Sequence, residues 1–73
     1  MKNRKFVICI KNTDYPASLE LRKIYEVVPD DDISATGHVR VIDESGDDYL
    51  YPSSYFIDAQ LSQSVLDAVI KAA

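Results

Sequence analysis

The 73-residue sequence has no tryptophan, one cysteine, one histidine and two glycines. A lone cysteine, Cys9, excludes an intrachain disulfide. Two glycines, Gly37 and Gly46, leave no glycine-rich loop to cradle a phosphate. The only thiol sits among the apolar residues 6 to 10, which raises its pKa rather than activating it, and His38 is the only imidazole. No carboxylate has an apolar sequence setting that marks it as a general acid, so no enzymatic activity and no cofactor is expected. Basic residues are also scarce, eight Lys and Arg against twelve Asp and Glu, for a net charge of −4. Displacing counterions from phosphates takes clustered cations. The clusters here are only Lys2, Arg4 and Lys5 at the terminus and the pair Arg22 and Lys23, so no nucleic-acid partner is expected. Long hydrophobic runs are missing as well. The opening "MKNRKFVICIKN" is basic then apolar, but its apolar run is shorter than the roughly 7–15 residues of a signal peptide. Nothing approaches the ~20 apolar residues of a membrane helix, so no membrane partner is expected and a cytoplasmic location is the default.

What is present suits one small domain spanning residues 1 to 73. Hydrophobic residues make up 47% and charged residues 27%, too apolar for a disordered chain. A chain of this length buries only about 60% of its unfolded surface, so its core is shallow. Residues 5 to 11 alternate as a strand, with Phe6, Ile8 and Ile10 on one face and Val7 and Cys9 on the other. "NTDYP" (12 to 16) reads as a turn. "LELRKIYEVV" (19 to 28) fits both periods, and its Ile, Tyr and valines favour strand. A loop over 29 to 37 precedes "HVRVIDE", in which Val39 and Val41 share a side. Gly46 lies in the turn over 43 to 48, where positive φ carries no Cβ clash. "YLY" (49 to 51) is the return strand. Pro52, with no N–H to give, is expected to interrupt the ladder. A tight turn at "SSY" leads to a last strand over 56 to 59. The tail changes period: apolar residues at 61, 65, 66, 69, 70 and 73 predict a helix of about ten to twelve residues. Ser62 is its N-cap, and Leu61 can staple to Leu66.

Four or five short strands followed by a helix predict a mainly β fold, a small antiparallel barrel or curled sheet. The run "SGDDYLYPSSYF" resembles the last hairpin of SH3-like barrels. Gly46, Leu50, Pro52, Ser53, Tyr55 and Phe56 fall where that family has a turn glycine, a core aliphatic, a Pro-Ser pair, a tyrosine and a final-strand apolar residue. "LELRK" followed by "YEVV" is similar to the family's diverging-turn segment. The resemblance covers roughly residues 5 to 60 and implies an SH3-like barrel of about five strands, with the helix from Leu61 outside it. The chain also resembles a set of short, uncharacterised bacterial proteins that carry much the same "YPASLELRKIY" and "VIDESGDDYLYP" runs, which implies no activity. Peptide-binding SH3 domains line a proline groove with two tyrosines and a tryptophan. Here Ile10 and Asn12 stand where those tyrosines fall, and His38 stands near the place of the tryptophan. Pro52 and Tyr55 carry over, with Tyr15 and Tyr51 as substitutes.

These residues define the candidate site: Tyr15, Tyr51, Pro52, Tyr55 and His38, a partner-binding surface for a protein or peptide. Tyr49 and Tyr51 share a face opposite Leu50, so a Leu50 in the core would put both rings outside. Tyrosine brings contact area and a hydroxyl at low entropic cost. The alternative is that the helix lies on this patch and buries the rings with Val65 and Val69. The acids at 30 to 32 and at Asp43, Glu44, Asp47 and Asp48 read as solvated turns on different edges; their spacing matches no calcium loop. The reading is thus an interaction module, with an accessory subunit of a larger complex as the alternative. Self-association through the helix is a specific form of it, Leu66 and Ile70 meeting a second copy while Leu61, Val65 and Val69 dock on their own chain.

Overall fold

A computed structural model describes residues 4–30 and 36–72. Five strands form one antiparallel sheet: β1 Lys5–Cys9, β2 Ile24–Val27, β3 His38–Ile42, β4 Asp48–Pro52 and β5 Phe56–Asp58. A helix, α1 Gln63–Lys71, follows. The order across the sheet is β4-β3-β2-β1-β5. The protein is mainly β, as expected, but among the described residues no ladder joins the edge strands β4 and β5, and the sheet is open. It must nevertheless curl. Only the 3₁₀ turn Ser53–Tyr55 separates β4 from β5, which lets the chain advance at most ~14 Å between them. A flat sheet would hold its two outer strands roughly 19 Å apart.

The register sorts the side chains. Val7 faces Tyr25, Cys9 faces Phe56, Val27 faces Val41, and Val39 faces Tyr51. These residues share the inner face and build the core together with Leu19 and Tyr55. Leu19, Cys9 and Val41 are fully buried. The outer face carries Phe6, Ile8, Ile24, Ile57, Arg40 and Leu50, so β1 is indeed apolar on both sides.

Several boundaries differ from the sequence reading for local reasons. Of residues 19 to 28 only 24 to 27 are strand. Arg22 has φ 65°, its N–H donates to the Cys9 carbonyl, and the Cys9 N–H donates to the Lys23 carbonyl. Two residues thus oppose one, the pattern of a β-bulge, which ends regular pairing and releases Leu19 to cover the core. Pro52 does not break the ladder. It is the last residue of β4, opposite His38. The turn after β3 is closed by the Gly46 N–H on the Asp43 carbonyl, with Gly46 at φ 87°. Part of the expected 29–37 loop, with Asp31 and Asp32, lies outside the described residues, as does Ala73 at the end of the expected helix.

The helix starts as read. Ser62 is the N-cap, its Oγ accepting from the Val65 N–H at 3.3 Å. Nine residues are helical and none is buried. Leu61 and Leu66 line one shallow pocket with Phe6 and Arg4, so α1 stands beside the outer face near the start of β1 and away from the tyrosines. Leu61 turns toward its own chain as expected, but Leu66 does so too and Val65 is exposed, so these two depart from the division expected for the helix sides.

Candidate functional site

The tyrosines are arranged differently from the expected exposed patch. Leu50 points outward and is exposed, and Tyr49 and Tyr51 lie on the inner face. The hairpin register decides this. Tyr49 stands opposite the fully buried Val41, so its whole face turns to the core. Tyr51 and Tyr55 are 3% and 6% exposed, whereas Tyr15 and Tyr49 are 40% and 53% exposed. The rings are not covered by α1. They are covered by one another, by Phe56 and by the 12–20 loop. Tyr15 meets Tyr51 edge-on at 4.9 Å between centroids and Tyr55 at 6.2 Å, and Phe56 lies 6.3 Å from Tyr51.

The 12–20 loop is fixed from several sides. Asn12 Nδ2 donates to the Leu19 carbonyl at 2.8 Å, and the Glu44 N–H donates to the Ser18 carbonyl at 3.0 Å. Tyr25 Oη accepts from the Glu20 N–H at 2.7 Å and donates to Glu44 Oε2 at 2.6 Å. Lys23 Nζ is 2.6 Å from the same carboxylate oxygen. Lys23 and Tyr25 together hold the Glu44 carboxyl below its ordinary value. Burial, then the Glu44 hydrogen bond, push the Tyr25 hydroxyl well above its own.

At the centre of this arrangement is Asp43, only 6% exposed. It was expected to be a solvated turn residue. Oδ1 accepts the Ser45 N–H at 2.9 Å and the Ser45 hydroxyl at 2.5 Å, and Oδ2 accepts the Tyr51 hydroxyl at 2.5 Å. The single phenolic proton goes to this nearer carboxylate, so Ser18 Oγ, 3.0 Å from Tyr51 Oη, donates to the phenol in turn. Burial works to raise the Asp43 carboxyl, and the bonds from Ser45 and Tyr51 overcome it and hold the group below its ordinary value. Tyr51 is shifted upward, by burial first and by the Asp43 hydrogen bond second. Among the described residues no Lys, Arg or His forms an ion pair with Asp43. The donors that hold its charge, from Ser45 and Tyr51, are neutral.

Tyr15, Ser18, Asp43, Ser45, Tyr49, Leu50 and Tyr51 line a cleft of about 510 Å³ that opens at the β4 edge. Two of the five expected site residues, Tyr15 and Tyr51, belong to it. Tyr55 is in the core beside Tyr15, with its hydroxyl donating to Asp14 Oδ2 at 3.3 Å. Pro52 and His38 face each other at the far end of the hairpin, on the outer face. His38 is exposed, with Nδ1 3.1 Å from the Thr36 carbonyl. Sequence reasoning missed Ser18, Asp43 and Ser45, and it set Tyr49 on the same face as Tyr51 without counting it among the site residues. An aspartate two residues before a serine is the signal of an Asx turn, and here that turn is closed by the Ser45 N–H. Of the first acidic stretch only Asp30 lies among the described residues, and it is held close to Asp48 of the second. Arg40 reaches Asp30 at 3.3 Å and Asp48 at 3.2 Å and ties them together.

The cleft offers a carboxylate floor, tyrosine walls and several hydroxyls. Among the described residues no three His, Cys, Asp or Glu side chains gather as metal ligands, and no helix is long and apolar enough to cross a membrane. Comparison with protein-family models, curated proteins and solved structures finds no match.

Proposed function

We propose that the protein is a small interaction module that holds a partner protein through the cleft between the 12–20 loop and the β3–β4 hairpin. The observation that carries the reading is Asp43, a buried carboxylate with no cationic partner among the described residues, beneath the accessible rings of Tyr15 and Tyr49. Accessible tyrosines around a fixed polar centre are the composition of an interface anchor. The SH3-like reading of the fold is supported by the strand order and by the 3₁₀ turn between the last two strands. A PxxP groove is not part of it, because Tyr55 is buried and Ile10 and Asn12 replace the groove tyrosines. A reducing compartment such as the cytoplasm suits the lone thiol.

A second reading, an accessory subunit or self-associating chain, is favoured by a different observation. No residue of α1 is buried, and Ile24 and Ile57 flank Ile8 on the outer face, both of them exposed. A photo-crosslinking residue at position 49, and separately at position 57, discriminates the two. A discrete adduct from position 49 that disappears in Asp43→Asn supports the cleft. Adducts from position 57 alone overturn the cleft reading in favour of the outer face.

A further inference from the structure

We propose that the partner enters as an extended segment paired antiparallel along the free edge of β4, with an arginine of that segment seated in the cleft over Asp43. This rests on the reading of the cleft as an interaction site and adds the backbone geometry and the side-chain chemistry of the ligand.

The edge follows from the ladder. β4 ends the sheet order, and among the described residues no strand lies beyond it. Opposed residues of an antiparallel pair alternate between hydrogen-bonded and non-hydrogen-bonded. Asp43 donates to the Asp47 carbonyl and Ser53 donates to the Gly37 carbonyl, which marks both of these opposed pairs as hydrogen-bonded. Counting by twos between them, the Tyr49–Val41 and Tyr51–Val39 pairs are of the same kind. Tyr49 and Tyr51 therefore turn their amides and carbonyls toward β3. Asp48 and Leu50 turn theirs outward, and Pro52 has a carbonyl but no amide to offer. The free edge is thus two donors long and stops at a proline, which fits a short added segment and no continuing sheet.

The edge and the cleft are contiguous. Tyr49 and Tyr51 belong to both, since their side chains wall the cleft and their backbone is the edge strand. If Asp48 and Leu50 bond the added strand, its residue opposite Tyr49 sits in the closer, non-hydrogen-bonded type of pair and on the same inner face. That side chain points into the cleft. The charge there selects a cation. Among the described residues Asp43 has no cationic partner, and Asp47 stands opposite it across the turn, whereas Glu44 is already paired with Lys23. A guanidinium suits the place better than an ammonium. It stacks on tyrosine faces, spreads its donors over a carboxylate and two hydroxyls, and gives up less hydration.

The test is a titration of the full ¹⁵N-labelled chain with a synthetic five-residue peptide, acetyl-Thr-Val-Arg-Val-Thr-amide, and with its citrulline analogue, which has the same shape without the charge. The expected result is that the Asp48 and Leu50 amides shift and gain protection from hydrogen exchange, and that the Tyr15 and Tyr49 rings shift with them. Citrulline is expected to weaken binding by about tenfold or more. Methylating the peptide nitrogens that meet β4 is expected to abolish the protection without any change to the protein. Equal affinity for the citrulline peptide overturns the arginine. Ring shifts without amide protection, shifts confined to Ile8 and Ile57, or no binding at millimolar peptide overturn strand addition. These failures stay distinct from failure of the cleft reading, because an adduct from position 49 survives them and its absence sinks both.

Discussion

Replacing Tyr51 by phenylalanine isolates the bond that holds Asp43. The ring stays and keeps its contacts with Tyr15 and Phe56, while the hydroxyl that donates to Asp43 at 2.5 Å and accepts from Ser18 is lost. A hydrogen bond to a charged acceptor contributes about 1.5–3 kcal/mol, and the buried carboxylate loses one of its few donors, so a loss of about 2 kcal/mol is expected near neutral pH. For a domain of this size that lowers Tm by roughly 10 °C. The pH dependence has a definite sign. Asp43 is held below its ordinary value in the folded chain, so its contribution is present above the unfolded carboxyl range and fades as pH falls through the folded value. The Tyr51 hydroxyl is raised, so its contribution is whole below the ordinary tyrosine range and fades as pH rises through the folded value. The gap between wild type and Tyr51→Phe is therefore widest on the plateau between these limits and narrows in acid. Urea unfolding followed by circular dichroism at pH 7 and pH 3 measures both points, with the exposed Tyr49→Phe as a control that moves neither. A gap under about 0.5 kcal/mol at pH 7, the range of a surface substitution, or one that widens in acid, refutes the reasoning.

Leu19→Ala is expected to cost about 3 kcal/mol in the same urea assay, because this loop residue is fully buried; a loss typical of an exposed loop would show that the 12–20 segment is not part of the core. The Cys9 thiol, fully buried and raised by its burial, should react with a disulfide reagent at pH 8 only as fast as the chain opens, and Leu19→Ala should accelerate it. Reaction at the rate of a free thiol in the folded protein would count against its placement. In native-state hydrogen exchange the α1 amides should exchange far faster than those of Val7, Cys9 and Val41, since no helix residue is buried; Ser62→Ala should hasten them further by removing the N-cap.

Periodicity carried much of the fold. The alternation in 5–11 and 38–42, the Gly46 turn and the Ser62 cap each appear close to where the residues put them. The period of two fixes which residues share a face and says nothing of which face is inside, which is why Leu50 and the two tyrosines came out inverted. Closing the turn at Asp43 and Gly46 sets Val41 against Tyr49, and that register contains the answer the strand alone lacks. Leu19 was read as strand because its spacing fits one. The bulge at Arg22 lets Leu19 join the same core cluster as Cys9, ten residues away, a tertiary requirement that no local pattern encodes. Asp43 was hidden among its acidic neighbours. What separates it from Asp47 and Asp48 is the hydroxyl of Tyr51, which only the folded hairpin brings to it.

The pairing of β1 with β5 places the first and last strands of the sheet side by side, Val7 against Asp58 and Lys5 Nζ 3.8 Å from the Asp58 carboxylate. The chain therefore comes into the sheet and leaves it through one doorway. A domain with that geometry can be spliced into a surface loop of a host protein, or carried in tandem, with little strain on either attachment.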